Sequence, residues 1–223
     1  AAGLTWRHSR LPGILALLGI AASAAALVSR VWGQTAEVWS GPVMVDGYAN
    51  LFKTIFLAVA ALTVLVSLDY VHRNRLAAGE FYLLLLLATV GMMFMTGSLN
   101  LLTIYVGLEC LSLASYSLAG MLRKSPRSTE AALKYILIGA ISSGIVLFGM
   151  SLLFGVAGST HLRDIAAALN SNPAMAPVLV AGMMFLIAGF GVKMAAVPFH
   201  MWAPDVYDGS PAPVAAFLIT ASE

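Results

Sequence analysis

Long apolar stretches separated by short polar joints recur along the whole chain. Six of them are long enough to cross the ~30 Å hydrocarbon core of a bilayer as helices, and a seventh has begun where the sequence stops. The stretches lie at about 11–31, 49–71, 81–97, 99–122, 130–157 and 177–199, and from 212 onward. The pattern predicts an all-α fold in which residues 1–223 form a single transmembrane domain, a polytopic bundle of six complete spans and the start of a seventh.

Three polar joints predict how neighbouring helices are connected. The joint at 96–100 is so short that the flanking helices must pack as an antiparallel hairpin. In the joint at 123–130, serine and threonine side chains can cap the helix that follows. The longer connector from Ser159 to Pro177 contains a short amphipathic stretch around 162–169.

The sixth apolar stretch is predicted to form a discontinuous helix. Lys193 lies deep within this stretch, and five residues later Pro198 lacks a backbone donor and clashes with the carbonyl of Met194. A break there leaves free carbonyls beside His200 and within reach of Lys193. In lipid, such backbone persists only inside protein or along a water-filled cavity, and a cation beside it is typical of an ion pathway. The Pro-rich segment 201–213 is then predicted to be a loop.

Composition supports a membrane protein and excludes several other classes. The chain is 60% hydrophobic and 10% charged with a mean hydropathy of +0.90, whereas soluble domains are about 25% charged. A net charge of +2 argues against a nucleic-acid partner, and the single Cys110 excludes a disulfide framework or a CxxC metal site. The chain begins at Ala1 and ends inside an apolar run, so we expect a fragment of a longer subunit.

The distribution of basic residues predicts an orientation in the membrane. The joint between 32 and 47 has two acids, Glu37 and Asp46, and no lysine or arginine. Basic residues fall in alternate joints: Arg7 and Arg10, Arg73 and Arg75, and Arg123, Lys124 and Arg127. The positive-inside rule places these joints, the starting terminus and the segment 201–213 at the cytoplasmic face, with Glu37 outside.

Two charged residues lie deep in apolar sequence. Glu109 is about ten residues into its span and therefore near mid-membrane, where a charge costs roughly 2.5–3.5 kcal/mol. We therefore interpret Glu109 as a functional residue, because acids inside the membrane usually have a function. The alternative is a structural glutamate that is hydrogen-bonded to Ser112 or Tyr105. Lys193 has no acid within seven residues on either side, so its partner must come from another helix, and Glu109 is the deepest candidate. A purely structural lysine is the alternative here.

Two further residues have interpretations that the sequence leaves open. Lys134 follows Glu130 by four residues and shares its helix face, either as part of a proton pathway or as a surface ion pair with a snorkelling lysine. His200 could relay a proton or cap the broken helix, but a position at the interface beside Trp202 is favoured. The sequence contains no zinc-ligand set, nucleophile–base arrangement or haem-type histidine pair. It has acids and bases placed for proton movement and nothing that would carry electrons.

Four segments resemble the antiporter-like membrane subunits of respiratory complex I, most closely the N-subunit family of bacterial NADH:quinone oxidoreductases. They are Asn100–Tyr116, Glu130–Tyr135, Leu147–Gly155 and Pro198–Pro211. The block Pro-Phe-His-Met-Trp-Ala-Pro-Asp-Val-Tyr is specific, because Na⁺/H⁺ antiporter relatives usually read His-x-Trp-Leu-Pro-x-Ala. The resemblance covers about Leu83 to the end, and residues 1–80 match only as hydrophobic spans.

The resemblance implies a bundle of about fourteen transmembrane helices with two inverted five-helix repeats, each containing a broken helix. A first helix and the whole second repeat are then expected to be missing from this chain. Residues of the implied proton pathway are Glu109, matching the family's membrane glutamate; Lys193, matching the lysine on its broken helix; Lys134, one helix on; His200; and Glu223, where the family has a lysine.

The implied function is that of a proton-translocating membrane subunit in the bacterial inner membrane. Electrons would pass from NADH to quinone in other subunits, which would hold FMN, iron–sulfur clusters and quinone, whereas this chain would hold no cofactor. Its partners would be the other membrane subunits of the complex, the lipid bilayer and protons. The alternatives are a subunit of a multisubunit Na⁺/H⁺ antiporter or membrane-bound hydrogenase, and a scaffold subunit that transports nothing.

Overall fold

A computed structural model of the chain describes residues 10–31, 33, 36–38, 43–171 and 173–222. Six helices in these ranges have the length and apolar composition to cross a membrane. The prediction of a polytopic helical bundle is therefore confirmed. These helices are α1 (Leu11–Ala26), α2 (Gly47–Arg73), α3 (Ala78–Thr96), α4 (Leu101–Ala119), α5 (Pro126–Ala157) and α7 (Ala176–Lys193).

Shorter elements connect or follow these helices. A two-stranded antiparallel hairpin, β1 (Ala36–Val38) with β2 (Val43–Val45), precedes α2. The predicted amphipathic stretch of the connector forms a helix, α6 (Leu162–Ser171). After α7 come a 3₁₀ turn, α8 (Ala203–Gly209) and α9 (Ala212–Phe217), and both α1 and α9 continue into a π-helical turn.

The prediction that 201–213 is a loop was wrong. A 3₁₀ turn at His200–Trp202 leads directly into α8, and a kink at Ser210 and Pro211 separates α8 from α9. Pro204 does not prevent helix formation because it lies in the first turn of α8, where a backbone donor has no intrahelical partner.

Side-chain caps explain where several helices begin. The Asp46 carboxylate accepts the Ala49 N–H at 2.7 Å and starts α2, and the Asn100 side chain accepts the Leu102 N–H at 2.9 Å and starts α4. The predicted cap before α5 is Ser125, whose hydroxyl accepts the Ser128 N–H at 3.4 Å ahead of Pro126. Each cap satisfies a donor that the first helical turn leaves unpaired.

Glycines allow two helix pairs to approach closely. A Cβ added at Gly91 would lie 2.6 Å from the Gly107 carbonyl oxygen, so α3 and α4 pack backbone to backbone as the predicted antiparallel hairpin. A Cβ at Gly149 would lie 2.8 Å from the Gly182 carbonyl oxygen, which brings α5 equally close to α7. Small residues have this role in membrane bundles because lipid provides no hydrophobic drive for helix association.

Contacts between joints define the two ends of the bundle. At one end the α3–α4 joint meets the segment before α6, where the Leu101 N–H donates to the Thr160 carbonyl at 2.9 Å. At the other end Arg123 lies 3.1 Å from Glu80, and Arg127 lies 3.8 Å from Asp208. The segment 201–213 is therefore at the same end as basic joints of the chain. Its assignment to the cytoplasmic side stays a prediction, and Arg7 lies outside the described residues.

The predicted break occurs earlier than expected. Helix α7 ends at Lys193 itself, five residues before Pro198, so Lys193 is a terminal residue of the helix rather than one deep inside it. Ala195 adopts a left-handed conformation with φ 48°, which turns the chain out of the helix. The Ala196 N–H then donates to the Gly191 carbonyl at 2.9 Å and the Ala195 N–H to the Val192 carbonyl at 3.2 Å, as in a Schellman motif.

Candidate functional site: a buried ion pair where α7 ends

The structure brings together the two deep charges that the sequence singled out. The Lys193 Nζ lies 3.5 Å from Glu109 Oε1, and the two side chains are only 7% and 24% exposed. Because α7 stops at Lys193, the buried ammonium group lies at the end of that helix. The pair is therefore an ion pair between α4 and α7, as the absence of a nearby acid in sequence predicted.

Within the described residues, the hydrogen-bond partners of the lysine side chain all come from one face of α4. Lys193 Nζ donates to Ser112 Oγ at 2.9 Å and to the Tyr116 hydroxyl at 3.1 Å, besides its contact with Glu109. Glu109, Ser112 and Tyr116 are spaced i, i+3, i+7 and so share one helix face. An ammonium group has three donors, and this face offers three acceptors.

Helix α5 supplies a hydroxyl group to the carboxylate. Ser143 Oγ lies 2.5 Å from Glu109 Oε1 and 2.9 Å from the Gly139 carbonyl oxygen. A hydroxyl has one proton to donate. It can donate to Glu109 when the carboxylate is charged. When Glu109 is protonated, the acid can donate to Ser143, which then donates to Gly139. The geometry accommodates both protonation states of the glutamate.

A cavity of about 460 Å³ opens beside the carboxylate, between α4 and α5. Glu109, Tyr116 and Ser143 line its polar side, and the remaining lining is largely apolar, including Leu113 and Leu147. A space of this size with several polar groups is large enough to hold water molecules. The cavity thus provides a space for water directly beside Glu109.

Three aromatic rings connect the ion pair to the segment after the break. The Tyr116 ring meets the Tyr135 ring edge to face at 4.6 Å, and Tyr135 stacks on Trp202 at 4.9 Å with an interplanar angle of 14°. The Trp202 Nε1–H donates to the Val192 carbonyl at 3.0 Å. All three rings are buried.

Lys134 belongs to a second, more exposed charge cluster. Its Nζ lies 2.7 Å from Glu130, the partner that the i, i+4 spacing predicts, and 2.5 Å from Asp205 in α8. The side chains of Lys134, Glu130 and Asp205 are 39%, 64% and 58% exposed, so this cluster lies near the surface of the bundle. The acids that pair with Lys134 are Glu130 and Asp205, whereas Glu109 pairs with Lys193.

His200, another predicted residue, is not part of either cluster. His200 is exposed at the start of the 3₁₀ turn, next to Met201. Glu223 lies outside the described residues. Their roles in a proton pathway stay predictions.

Sequence reasoning missed several residues of the site. The sequence predicted Ser112 only as a partner of Glu109 and gave no role to Tyr116. The spacing of both residues from Glu109 nevertheless places them on the same helix face. Ser143, Tyr135, Trp202 and Asp205 had no such signal, because their positions depend on how α5 and α8 pack against α4 and α7. In α5, Gly139 faces Tyr116, whereas Gly144 lines the cavity beside Glu109.

Comparisons with known proteins agree with the geometry. Residues 98–223 match the family described as NADH:quinone oxidoreductase/Mrp antiporter, TM. The chain is 52% identical over 195 residues to NADH-quinone oxidoreductase subunit N 2 of Symbiobacterium thermophilum, a match that covers 83% of this chain and 38% of that protein. It is 44% identical over 205 residues to NADH-quinone oxidoreductase subunit N of Trichlorobacter lovleyi, covering 92% of this chain and 42% of that protein.

A solved structure is also similar to this chain. A chain of respiratory complex I from Thermus thermophilus with bound aureothin matches with a TM-score of 0.76 and 36% identity, over 93% of this chain and 46% of that one. The chain thus spans less than half the length of these relatives. Its six apolar helices and these matches make it a multi-pass protein of the bacterial inner membrane. The family match covers more than half of its residues, and the chain belongs to the NADH:quinone oxidoreductase/Mrp antiporter transmembrane family.

Proposed function

We propose that this chain is part of the proton-translocating membrane subunit of an NADH:quinone oxidoreductase. The observation that carries the proposal is the Lys193–Glu109 ion pair, buried among membrane-spanning helices and surrounded by hydroxyl groups at a helix end. Relatives named as subunit N of that enzyme complex support it. Electron transfer from NADH to quinone takes place in other subunits, which hold the FMN, iron–sulfur clusters and quinone, and this chain carries no redox centre.

Proton exchange within the pair explains how the site works. Moving one proton from Lys193 to Glu109 converts a charged pair into a neutral pair, so the site is electrically neutral before and after the step. A single buried charge without its partner is far less stable than either form. Because the two groups are 3.5 Å apart, a small movement of the lysine is enough to bring them within direct hydrogen-bonding distance.

The proposal also assigns roles to the surroundings of this pair. The cavity beside Glu109 gives water access to the carboxylate. Lys134, with Glu130 and Asp205, forms a charged group toward the basic end of the bundle, where protons enter or leave. We also propose His200 and Glu223 as members of the proton pathway. The other membrane subunits of the complex and the lipid bilayer are the partners of the remaining surface.

Substitution of the pair in the full-length subunit, within the assembled complex, tests the proposal. We expect Lys193→Ala and Glu109→Gln each to lower proton pumping by ~tenfold or more, since a proton-transfer group is removed. The double variant should lose much less than the two losses combined, because the residues act as one unit. Inverted membrane vesicles allow pumping and NADH oxidation to be measured together, and Lys124→Ala, at an exposed lysine, is the matched control.

The alternatives predict different results. Normal pumping by an assembled Lys193→Ala complex would contradict the proposal and favour the scaffold subunit. A Na⁺/H⁺ antiporter would discharge a pH gradient on addition of sodium without NADH. A subunit of a membrane-bound hydrogenase would support pumping with hydrogen in place of NADH.

A further inference from the structure

Trp202 contacts the surroundings of Lys193 by two separate routes. It lies nine residues after Lys193, beyond the end of α7, and is 95% buried. We propose that Trp202 is a positioning residue for Lys193, which holds both the backbone and the hydrogen-bond partners of the lysine in place. This inference rests on the proposed function, because positioning Lys193 matters only if Lys193 carries protons.

The first route acts on the backbone. The Trp202 Nε1–H donates at 3.0 Å to the carbonyl of Val192, the residue immediately before Lys193. The same carbonyl accepts the Ala195 N–H at 3.2 Å in the motif that ends α7. The indole therefore holds the last turn of the helix, from which the lysine side chain extends.

The second route acts on the side chain. Trp202 stacks on Tyr135, and Tyr135 meets Tyr116, whose hydroxyl accepts from Lys193 Nζ at 3.1 Å. The backbone of α5 restricts Tyr116 from another direction, since a Cβ at Gly139 would lie 1.8 Å from its hydroxyl oxygen. Trp202 thus determines where Tyr135 lies, and through it where the phenol that binds the lysine lies.

The exposed charge cluster lies next to this aromatic stack. Lys134 is the neighbour of Tyr135 in α5, and Asp205 is three residues after Trp202, in α8. Their ion pair joins the same two segments that the Tyr135–Trp202 stack joins.

The test uses Trp202→Phe and Trp202→Leu in the full-length subunit within the assembled complex. Phenylalanine keeps a ring on Tyr135 but removes the N–H donor, so pumping per NADH oxidised should fall about threefold, as expected for one lost hydrogen bond. Leucine removes both routes and should lower it further. Phe148→Leu, which removes an aromatic contact to Phe185 between α5 and α7, is the matched control and should pump normally.

The pH dependence of pumping separates positioning from a merely structural role. The titratable groups that face Lys193 are Glu109 and Tyr116 from α4, whereas α5 contributes the Ser143 hydroxyl beside Glu109. Displacing Lys193 from these groups should shift the pH midpoint of pumping in the Trp202 variants, because such profiles follow the ionisation of essential groups. The control should keep the wild-type profile.

Different results would refute the positioning role of Trp202 and the proposed function. Wild-type pumping and pH profile in an assembled Trp202→Phe complex would refute the positioning role of Trp202. Wild-type pumping in Lys193→Ala would instead refute the proposed function on which that role depends. If Trp202→Leu fails to assemble, the phenylalanine variant alone decides the question.

Discussion

Three hydroxyl groups, from Ser112, Tyr116 and Ser143, surround the Lys193–Glu109 pair, and each contacts one member of it. Hydroxyl groups both donate and accept, so they can follow a change in protonation by rotating. A backbone carbonyl in their place could only accept, and a backbone N–H could only donate. The residues around the pair therefore suit a site whose charge state alternates, rather than one that is permanently ionised.

Among single residues, Gly139 leads to a specific prediction for the effect of an added methyl group. In Gly139→Ala the new methyl group would lie 1.8 Å from the Tyr116 hydroxyl oxygen and 2.5 Å from its Cζ, so the ring must move away from Lys193. We expect a destabilisation of about 1–3 kcal/mol from overpacking and a clear loss of proton pumping. Thermal unfolding and vesicle pumping assays measure the two effects.

The matched control for this substitution is Gly155→Ala, sixteen residues along the same helix. A Cβ at Gly155 meets no atom within 4 Å, and Gly155 is not among the residues that line the cavity beside Glu109, so this change should leave pumping intact. If both alanine variants behave alike, then Gly139 has no special relation to Tyr116.

At the scale of elements, the end of α7 is the feature on which the site depends. The sequence predicted a break from Pro198, because proline cannot continue a helix. The observed end, at Lys193, depends on the left-handed conformation of Ala195. Alanine rarely adopts this conformation, so nothing in the neighbouring sequence predicts that the helix ends there. Glycine is the usual residue there, so the position of the break was predicted only to within one and a half turns.

Ala195→Gly should stabilise the protein. An L-residue in the left-handed region costs roughly 1–2 kcal/mol, and glycine adopts it freely, although its greater freedom in the unfolded chain offsets part of the gain. We expect a net increase of about 0.5–1 kcal/mol in the free energy of unfolding, measured by thermal denaturation of the detergent-solubilised subunit. Ala196→Gly, at the next residue, should be neutral or destabilising. Equal effects of the two substitutions would mean that the conformation of residue 195 stores no strain.

At the scale of the whole molecule, the number and approximate limits of the spans could be predicted, because they depend only on how long the apolar runs are. How the helices pack could not. Leu137 is 62% exposed and Val146 is fully buried in the same helix, yet both are apolar, since lipid-facing and core-facing positions share the same chemistry. The partners of Glu109 on α5 depend on that packing, whereas its pairing with Lys193 could be anticipated because buried charges need a counter-charge.

The charge pattern also makes a prediction for the whole molecule. Position 124 should face the cytoplasm and position 37 the outside, because basic joints are retained inside. In a background with Cys110→Ala, single cysteines at these positions can be treated with a membrane-impermeant maleimide on intact cells. Position 37 should react, and position 124 should react only after permeabilisation. The reverse pattern would invert the assigned orientation.

The short distance within the ion pair has an electrical consequence. Carrying one elementary charge across a whole membrane against 100 mV requires about 2.3 kcal/mol. The Nζ and Oε1 atoms are 3.5 Å apart, so proton exchange between them spans at most about an eighth of a ~30 Å hydrocarbon layer. The membrane voltage thus changes the energy of this exchange by no more than ~0.3 kcal/mol. Under the proposed function, nearly all the electrical work of translocation therefore falls on the steps that bring protons to the pair and carry them away.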